Sequence, residues 1–223
     1  GICEIRVIGC PAGLGSYGLL ITFFARETLP ESAKSNSNSR HPFEGYGIVF
    51  RDRHFLSTTG GFMLAKMCVV PIWVLMSVYV KTNFGIAENQ FGLIAATNAT
   101  MVILFQFPVT QKTKRFAPLS VMAAGTAVYA LATFCIPFAS GFWGFWLCMV
   151  VMTSGELMLV PTASSYVANL APTDMRGRYM SIYGLSWGVA SGVASPMSGF
   201  LNDKLGPQAI WYGASLMGVL GTS

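Results

Sequence analysis

Long stretches of this chain carry no ionisable side chain. Forty residues, Phe116 to Gly155, pass without Asp, Glu, Lys or Arg, and after Glu156 another 17 precede Asp174. A helix of about 20 mainly apolar residues is long enough to cross the hydrocarbon core of a bilayer. Six runs meet that condition, at 7–25, 58–80, 91–109, 118–138, 142–167 and 179–201, and a seventh begins at Gln208. Ala139-Ser140-Gly141 is all that separates the fourth from the fifth, with Trp143 and Trp146 placed as an interfacial belt. The pattern predicts an all-α, polytopic transmembrane helical bundle, multi-pass in a cell (inner) membrane, with the lipid bilayer as its solvent.

The polar positions orient the bundle. Short loops rich in Lys and Arg stay on the cytoplasmic side. Arg26, Lys34, Arg40, Arg51 and Arg53 follow the first run, Lys112, Lys114 and Arg115 the third, and Arg176 and Arg178 the fifth, ten of the 14 cations in all. The alternate loops hold Lys81, none, and Lys204. Loops 26–57, 110–117 and 171–178 are therefore expected to be cytoplasmic. The polar run Ser35-Asn36-Ser37-Asn38-Ser39 makes the first of them a natural joint. Three parts follow: 1–25 as the last helix of one bundle, 26–57 as a central cytoplasmic loop, and 58–223 as a six-helix half whose last helix is cut short. With Gly first and an apolar run last, the chain is expected to be a fragment at both ends, missing an N-terminal half.

Composition narrows the function classes. The chain of 223 residues is 53% hydrophobic and only 10% charged, against about 25% charged in soluble domains. Its net charge of +5 sits in loop clusters, whereas a nucleic-acid binder gathers its cations on one solvated face; no nucleic-acid partner is expected. Cys3, Cys10, Cys68, Cys135 and Cys148 show no ligand spacing, so neither a metal nor a disulfide framework is implied. No nucleophile motif, paired carboxylates or isolated His cluster suggests catalysis, and no enzyme is expected. The opening segment lacks the cleavage pattern of a signal peptide.

Several motifs have a plain alternative. Gly13-Leu14-Gly15-Ser16-Tyr17-Gly18 matches a dinucleotide fingerprint, but no second strand or acid follows at the required distance, and small-residue helix packing accounts for it. Gly184, Gly188 and Gly192 recur at every fourth position, a spacing that lets membrane helices pack closely. Pro196 interrupts the same run and removes one helical hydrogen bond, which suits a kink or hinge. Asn98-Ala99-Thr100 matches a glycosylation acceptor but falls within a span. Asp174, Arg176 and Arg178 either mark topology alone or help to lock a closed cytoplasmic gate.

Two ionisable residues lie inside the spans. Lys66 sits about 12 Å from the cytoplasmic face and Glu156 about 21 Å from the outer one, at 1.5 Å per residue, so in a core about 30 Å thick their depths nearly coincide. Charged groups at such depths usually face a cavity or a partner. Two readings stand: Glu156 and Lys66 form a substrate- or proton-binding pair, or Lys66 snorkels while Glu156 is neutral and hydrogen-bonded to Thr153 or a facing helix.

Gly155-Glu156 through Pro161, then 171–180, Gly184-Leu185-Ser186-Trp187-Gly188 and Gly199-Phe200-Leu201-Asn202-Asp203 resemble the fifth-to-sixth helix region in the C-terminal half of a major facilitator superfamily transporter, of the kind found in bacterial multidrug:proton antiporters. Arg26-Glu27-Thr28-Leu29-Pro30-Glu31 resembles the exit from that family's sixth helix. The superfamily's cytoplasmic signature between the third and fourth runs is reduced here to the basic cluster Lys112, Lys114 and Arg115. The resemblance implies a six-helix half of the fold plus the preceding helix, with Lys66 and Glu156 lining a central cavity. It also implies secondary active transport by alternating access, as proton-coupled efflux of small amphipathic compounds or as uptake or exchange of a sugar, nutrient or organic anion. A non-transporting receptor or scaffold is the remaining alternative. The driving force expected is a proton gradient, with no cofactor.

Overall fold

A computed structural model describes residues 46–222, which are helical except at turns. The 7–25 span, the Gly13–Gly18 motif and most of the 26–57 loop lie outside the described residues. Helix α1 is the short Tyr46–Val49, α2 is Arg53–Val74, α3 Met76–Phe84, α4 Glu88–Thr113 and α5 Pro118–Cys135. A 3-10 turn, Ile136–Phe138, leads to α6, Gly141–Leu170, then to α7, Arg176–Leu205, and α8, Ala209–Leu220.

Each of the described runs becomes a helix, and most helices overrun the apolar segment that announces them. The second run starts at Arg53 rather than 58, because Asp52 caps it: its Oδ1 accepts from Phe55 N at 3.0 Å. That cap satisfies an orphan amide and sets a negative charge at the positive end of the helix. The loop expected over 26–57 therefore ends in helix. The same run is divided at Leu75 between α2 and α3, yet the ladder passes through, with Leu75 N bonded to Pro71 O and Tyr79 N to Leu75 O, each at 2.8 Å. Gly85, at φ 64°, closes α3 in a left-handed turn that favours glycine. Likewise α4 runs on to Thr113 and α7 begins at Arg176, so both expected cytoplasmic loops are shorter than the sequence suggests.

Four helical segments are long and apolar enough to cross a membrane: Arg53–Val74, Glu88–Thr113, Pro118–Phe138 and Gly141–Leu170. Helix α7 has 30 residues but not their hydropathy; its Gly and Ser positions dilute the apolar content. Helix α8 is shorter, with 12 residues.

The core lies among α2, α3, α5, α6 and α8, where Ile72, Tyr129, Phe145 and Trp211 are fully or almost fully buried. Helices α5 and α6 approach most closely at a pair of glycines. A Cβ on Gly155 would stand 2.8 Å from Gly125 O, and one on Gly125 would stand 3.0 Å from Leu159 Cβ. Without a hydrophobic drive between helices in lipid, such backbone proximity supplies the dispersion contact that holds them. A second cluster ties Val49 and Phe55 to Val167, Ala171, Met175 and Tyr179, so the start of α2 packs on the turn between α6 and α7.

The glycine stripe of α7 does not face another described helix. A Cβ added at Gly184, Gly188 or Gly192 would meet no atom within 4 Å among the described residues. The small residues of α7 that do pack stand on another face: Ser186, Ala190, Ala194 and Ser198 are buried, and Ala190 and Ala194 cluster with Met67 and Val70 of α2. The contact of α7 with α2 thus uses a different register from the glycines. Pro196 is exposed, and α7 continues past it to Leu205.

Candidate functional site

Consecutive residues on a helix point about 100° apart, and α6 uses that angle. Gly155 turns toward α5, and Glu156 turns toward α4. There Asn98 Nδ2 donates to Glu156 Oε2 at 2.7 Å and to Thr153 Oγ1 at 3.0 Å. The Thr153 hydroxyl in turn donates to Met149 O at 2.8 Å, which leaves its oxygen free to accept. The carboxylate is therefore half-buried and held by a neutral amide.

The rest of the α4–α6 contact is also polar. Trp146 Nε1 donates to Thr97 Oγ1 at 3.0 Å, one helical position from Asn98. Further along, Gln106 Nε2 donates to Thr110 Oγ1 at 3.0 Å and approaches Leu157 O at 3.5 Å. So α6 is held on one side by backbone proximity and on the other by side-chain hydrogen bonds. Helix α4 presents little else to the bundle, with Ile94 as its one buried residue.

Lys66 is 2% exposed, so it does not snorkel to an interface. Nor does it pair with Glu156: among the described residues no carboxylate lies within 4.0 Å of its ammonium. The ammonium instead lies over two aromatic faces, 4.5 Å from the Trp187 ring centroid and 5.1 Å from that of Phe62. A ring face attracts a cation through its quadrupole, and more strongly when both are desolvated. Phe62 is itself stacked on Tyr183 with centroids 4.6 Å apart. The hydroxyl of Tyr129 has no hydrogen-bond partner among the described residues. Each of the two ionisable side chains inside the bundle is thus held by uncharged partners.

At the turn between α6 and α7, Asp174 and Arg176 are exposed and Arg178 is half-buried. The N-cap position of α7 is Met175. Among the described residues neither Arg176 nor Arg178 forms a carboxylate ion pair. What fastens this turn is Tyr179, whose hydroxyl donates to Asp52 Oδ2 at 3.0 Å, together with a hydrogen bond between His54 Nε2 and the Tyr166 hydroxyl. Asp52 therefore serves as both a helix cap and a tether. Among the described residues no group of three or more His, Cys, Asp or Glu is arranged to hold a metal.

Several of these residues escape a reading of the sequence. Asn98 reads only as a buried glycosylation acceptor, although a polar residue inside a span facing a carboxylate on another is the signal that identifies it. Trp187 and Phe62 carry no signal until the packing is known, since an aromatic residue in an apolar run is ordinarily core.

The chain matches the Major Facilitator Superfamily over residues 54–223. Among curated relatives, a Na(+), Li(+), K(+)/H(+) antiporter of Planococcus maritimus is 26% identical over 220 residues, covering 88% of this chain and 50% of that protein. A phosphoglycerate transporter protein of Salmonella typhimurium is 25% identical over 166 residues, covering 74% of this chain and 35% of that one. An uncharacterised MFS-type transporter of Methanocaldococcus jannaschii is 27% identical over 163 residues, with 73% and 41% covered. The chain therefore spans about half the length or less of these relatives. A crystal structure of a POT family transporter in complex with a thioalcohol-conjugated peptide superposes with a TM-score of 0.66 at 17% identity, covering 98% of this chain and 52% of that one. The helical fold and the family match over most of the chain agree: the chain belongs to the Major Facilitator Superfamily and spans about half the length of its relatives.

Proposed function

We propose that the protein works as a proton-coupled antiporter that exports small amphipathic compounds by alternating access, with Glu156 as the group that takes up and releases the proton. The observation that supports this reading is the contact of Glu156 with Asn98 at 2.7 Å across two helices, with no cation within ion-pair distance among the described residues. Proton arrival removes the charge that the Asn98 amide faces, so the α4–α6 contact differs between the two protonation states. A ligand shifts a conformational equilibrium only through such a difference. Cargo and proton then exclude one another at the carboxylate, which is the condition for exchange. The P. maritimus relative, named for exchange of alkali cations against protons, lends kinship to the antiport. Arg176 and Arg178 contribute to the cytoplasmic gate in this reading, and Pro196 gives α7 a point of flexure.

The test uses the full-length protein in liposomes under an imposed pH gradient. Glu156→Gln is expected to abolish pH-driven export while leaving gradient-independent counterflow of cargo. Unchanged pH dependence in that variant sinks the proton-carrier role.

A further inference from the structure

Thr153 has one hydrogen-bonding proton, and its own helix takes it. The hydroxyl donates to Met149 O, four residues back, at 2.8 Å, a back-bond open to threonine inside a helix. With that proton committed, Oγ1 has only lone pairs to offer, and it accepts from Asn98 Nδ2 at 3.0 Å. The second N–H of the same nitrogen goes to Glu156 Oε2 at 2.7 Å. Turning the amide over would set Asn98 Oδ1 against a carboxylate oxygen and against a hydroxyl whose proton points elsewhere. The sense of the Asn98–Glu156 bond is therefore set by a third residue, one that is 0% exposed and makes no hydrogen bond to the carboxylate itself.

An amide held in this way tells the two states of the carboxyl apart. Its N–H donates to the carboxylate, and bonds to a charged acceptor are about twice as strong as neutral ones. A carboxylic acid needs an acceptor for its O–H, and the fixed amide offers it none. An amide free to turn would serve both states, giving its carbonyl to the acid and its N–H to the carboxylate. Away from the helix ends, the ionisable groups on the helices packed against α6 are Lys66 and Cys68 of α2, Tyr129 of α5 and Tyr183 of α7. Among the described residues none of them forms a hydrogen bond or ion pair with Glu156, and α4 carries no ionisable side chain between Glu88 and Lys112.

We propose that Thr153 is a positioning residue of the proton site: by holding the Asn98 amide with its N–H toward Glu156, it makes the α4–α6 contact strong for the carboxylate and weak for the acid. This rests on the reading of Glu156 as the proton carrier and names the residue that sets the carrier's preference. Thr153 acts only through Asn98.

The test follows the carboxyl directly. Infrared difference spectra of the full-length protein are recorded against pH, and the acid C=O band that Glu156→Gln lacks is titrated beside the pH profile of export in liposomes. Thr153→Val keeps nearly the same shape without the hydroxyl. It frees the amide to turn toward the acid, and both midpoints are expected to rise by at least about half a pH unit, the difference between a charge-assisted bond and a neutral one. Thr153→Ser is expected to keep the wild-type midpoints. In an Asn98→Leu background Thr153→Val is expected to add nothing, which a merely structural role would not predict. Thr153→Ala serves the same comparisons should the valine protein fail to accumulate. An infrared midpoint unmoved by losing the hydroxyl overturns the proposal, as does a shift that serine shares or that persists undiminished without Asn98. Export that still follows pH in those cases leaves the antiport reading intact. An infrared midpoint that moves as expected while export ignores pH keeps the role of Thr153 and removes the antiport reading.

Discussion

Asn98 and Glu156, 58 positions apart in the chain, meet at 2.7 Å through the amide of one and the carboxylate of the other. The bond joins α4 to α6 at the point where α6 carries its single charged residue. Asn98→Leu removes it and leaves the carboxylate without a donor. An interhelical hydrogen bond of this kind is worth about 0.6 kcal/mol on average in a membrane protein. Thermal unfolding of Asn98→Leu is therefore expected to move by only about a degree or two, while, on the proposed antiport reading, the pH midpoint of export by the full-length protein moves clearly. A large loss of stability with an unmoved midpoint would falsify a functional role for this contact.

Gly155 stands where no side chain fits. A Cβ there comes 2.8 Å from Gly125 O, a backbone atom that cannot step aside. Overpacking of this kind costs about 1–3 kcal/mol, against a gain of about 1 kcal/mol from replacing a helical glycine with alanine. Gly155→Ala is expected to lower the unfolding temperature of the purified protein, and Gly155→Leu to prevent its accumulation. An unfolding temperature at or above the wild type's for Gly155→Ala contradicts the close approach.

Asp52 has two tasks, and single substitutions separate them. Tyr179→Phe removes the tether alone, at a cost of about 1 kcal/mol for one hydrogen bond; Asp52→Ala removes the tether and the cap, the latter worth another ~1 kcal/mol. Hydrogen exchange is the measurement. Residues 171–178 should exchange faster in both variants, and the first turn of α2 only in Asp52→Ala. Equal behaviour of the two at the α2 start rules out the capping role.

At the opposite end of the bundle Lys81 donates to Glu88 Oε1 at 2.6 Å, between side chains 61% and 77% exposed. The hydrogen bond from Lys81, followed by its charge, holds the Glu88 carboxyl below the usual glutamate range. A folded-state value lowered in this way gives stability that is present above the unfolded value and fades as pH falls through the folded one. Both groups face solvent, so the effect is small and screened by salt. Glu88→Gln is expected to leave the unfolding temperature at pH 7 within error in 0.5 M salt and to flatten any small decline toward acid pH at low salt. A substantial loss in high salt would show that this pair does more than bridge an exposed turn.

The spans are legible because hydrocarbon imposes length and polarity on every helix that crosses it, and five runs between residues 58 and 201 all appear as helices. Their ends are less so, since a cap such as Asp52 extends a helix into the polar region where hydropathy has no signal. Glu156 and Lys66 stand out in the sequence because a charge in an apolar run is conspicuous. Their partners do not, because matching depths on two helices say nothing about rotation, and rotation is what sends Lys66 to Trp187 and Glu156 to Asn98. The same ambiguity applies to α7: a four-residue period names a stripe, but only the assembled bundle shows that Ala190 and Ala194 are the small residues that face α2.

The seat of Gly155 against Gly125 has a mechanical consequence. Turning α6 about its own axis drives either Leu159 or the neighbouring backbone into α5, so the bearing of Glu156 is fixed by the residue beside it that has no side chain. Helices α5 and α6 are thereby seated backbone to backbone, and any rotation that would re-aim the carboxylate is opposed at this contact.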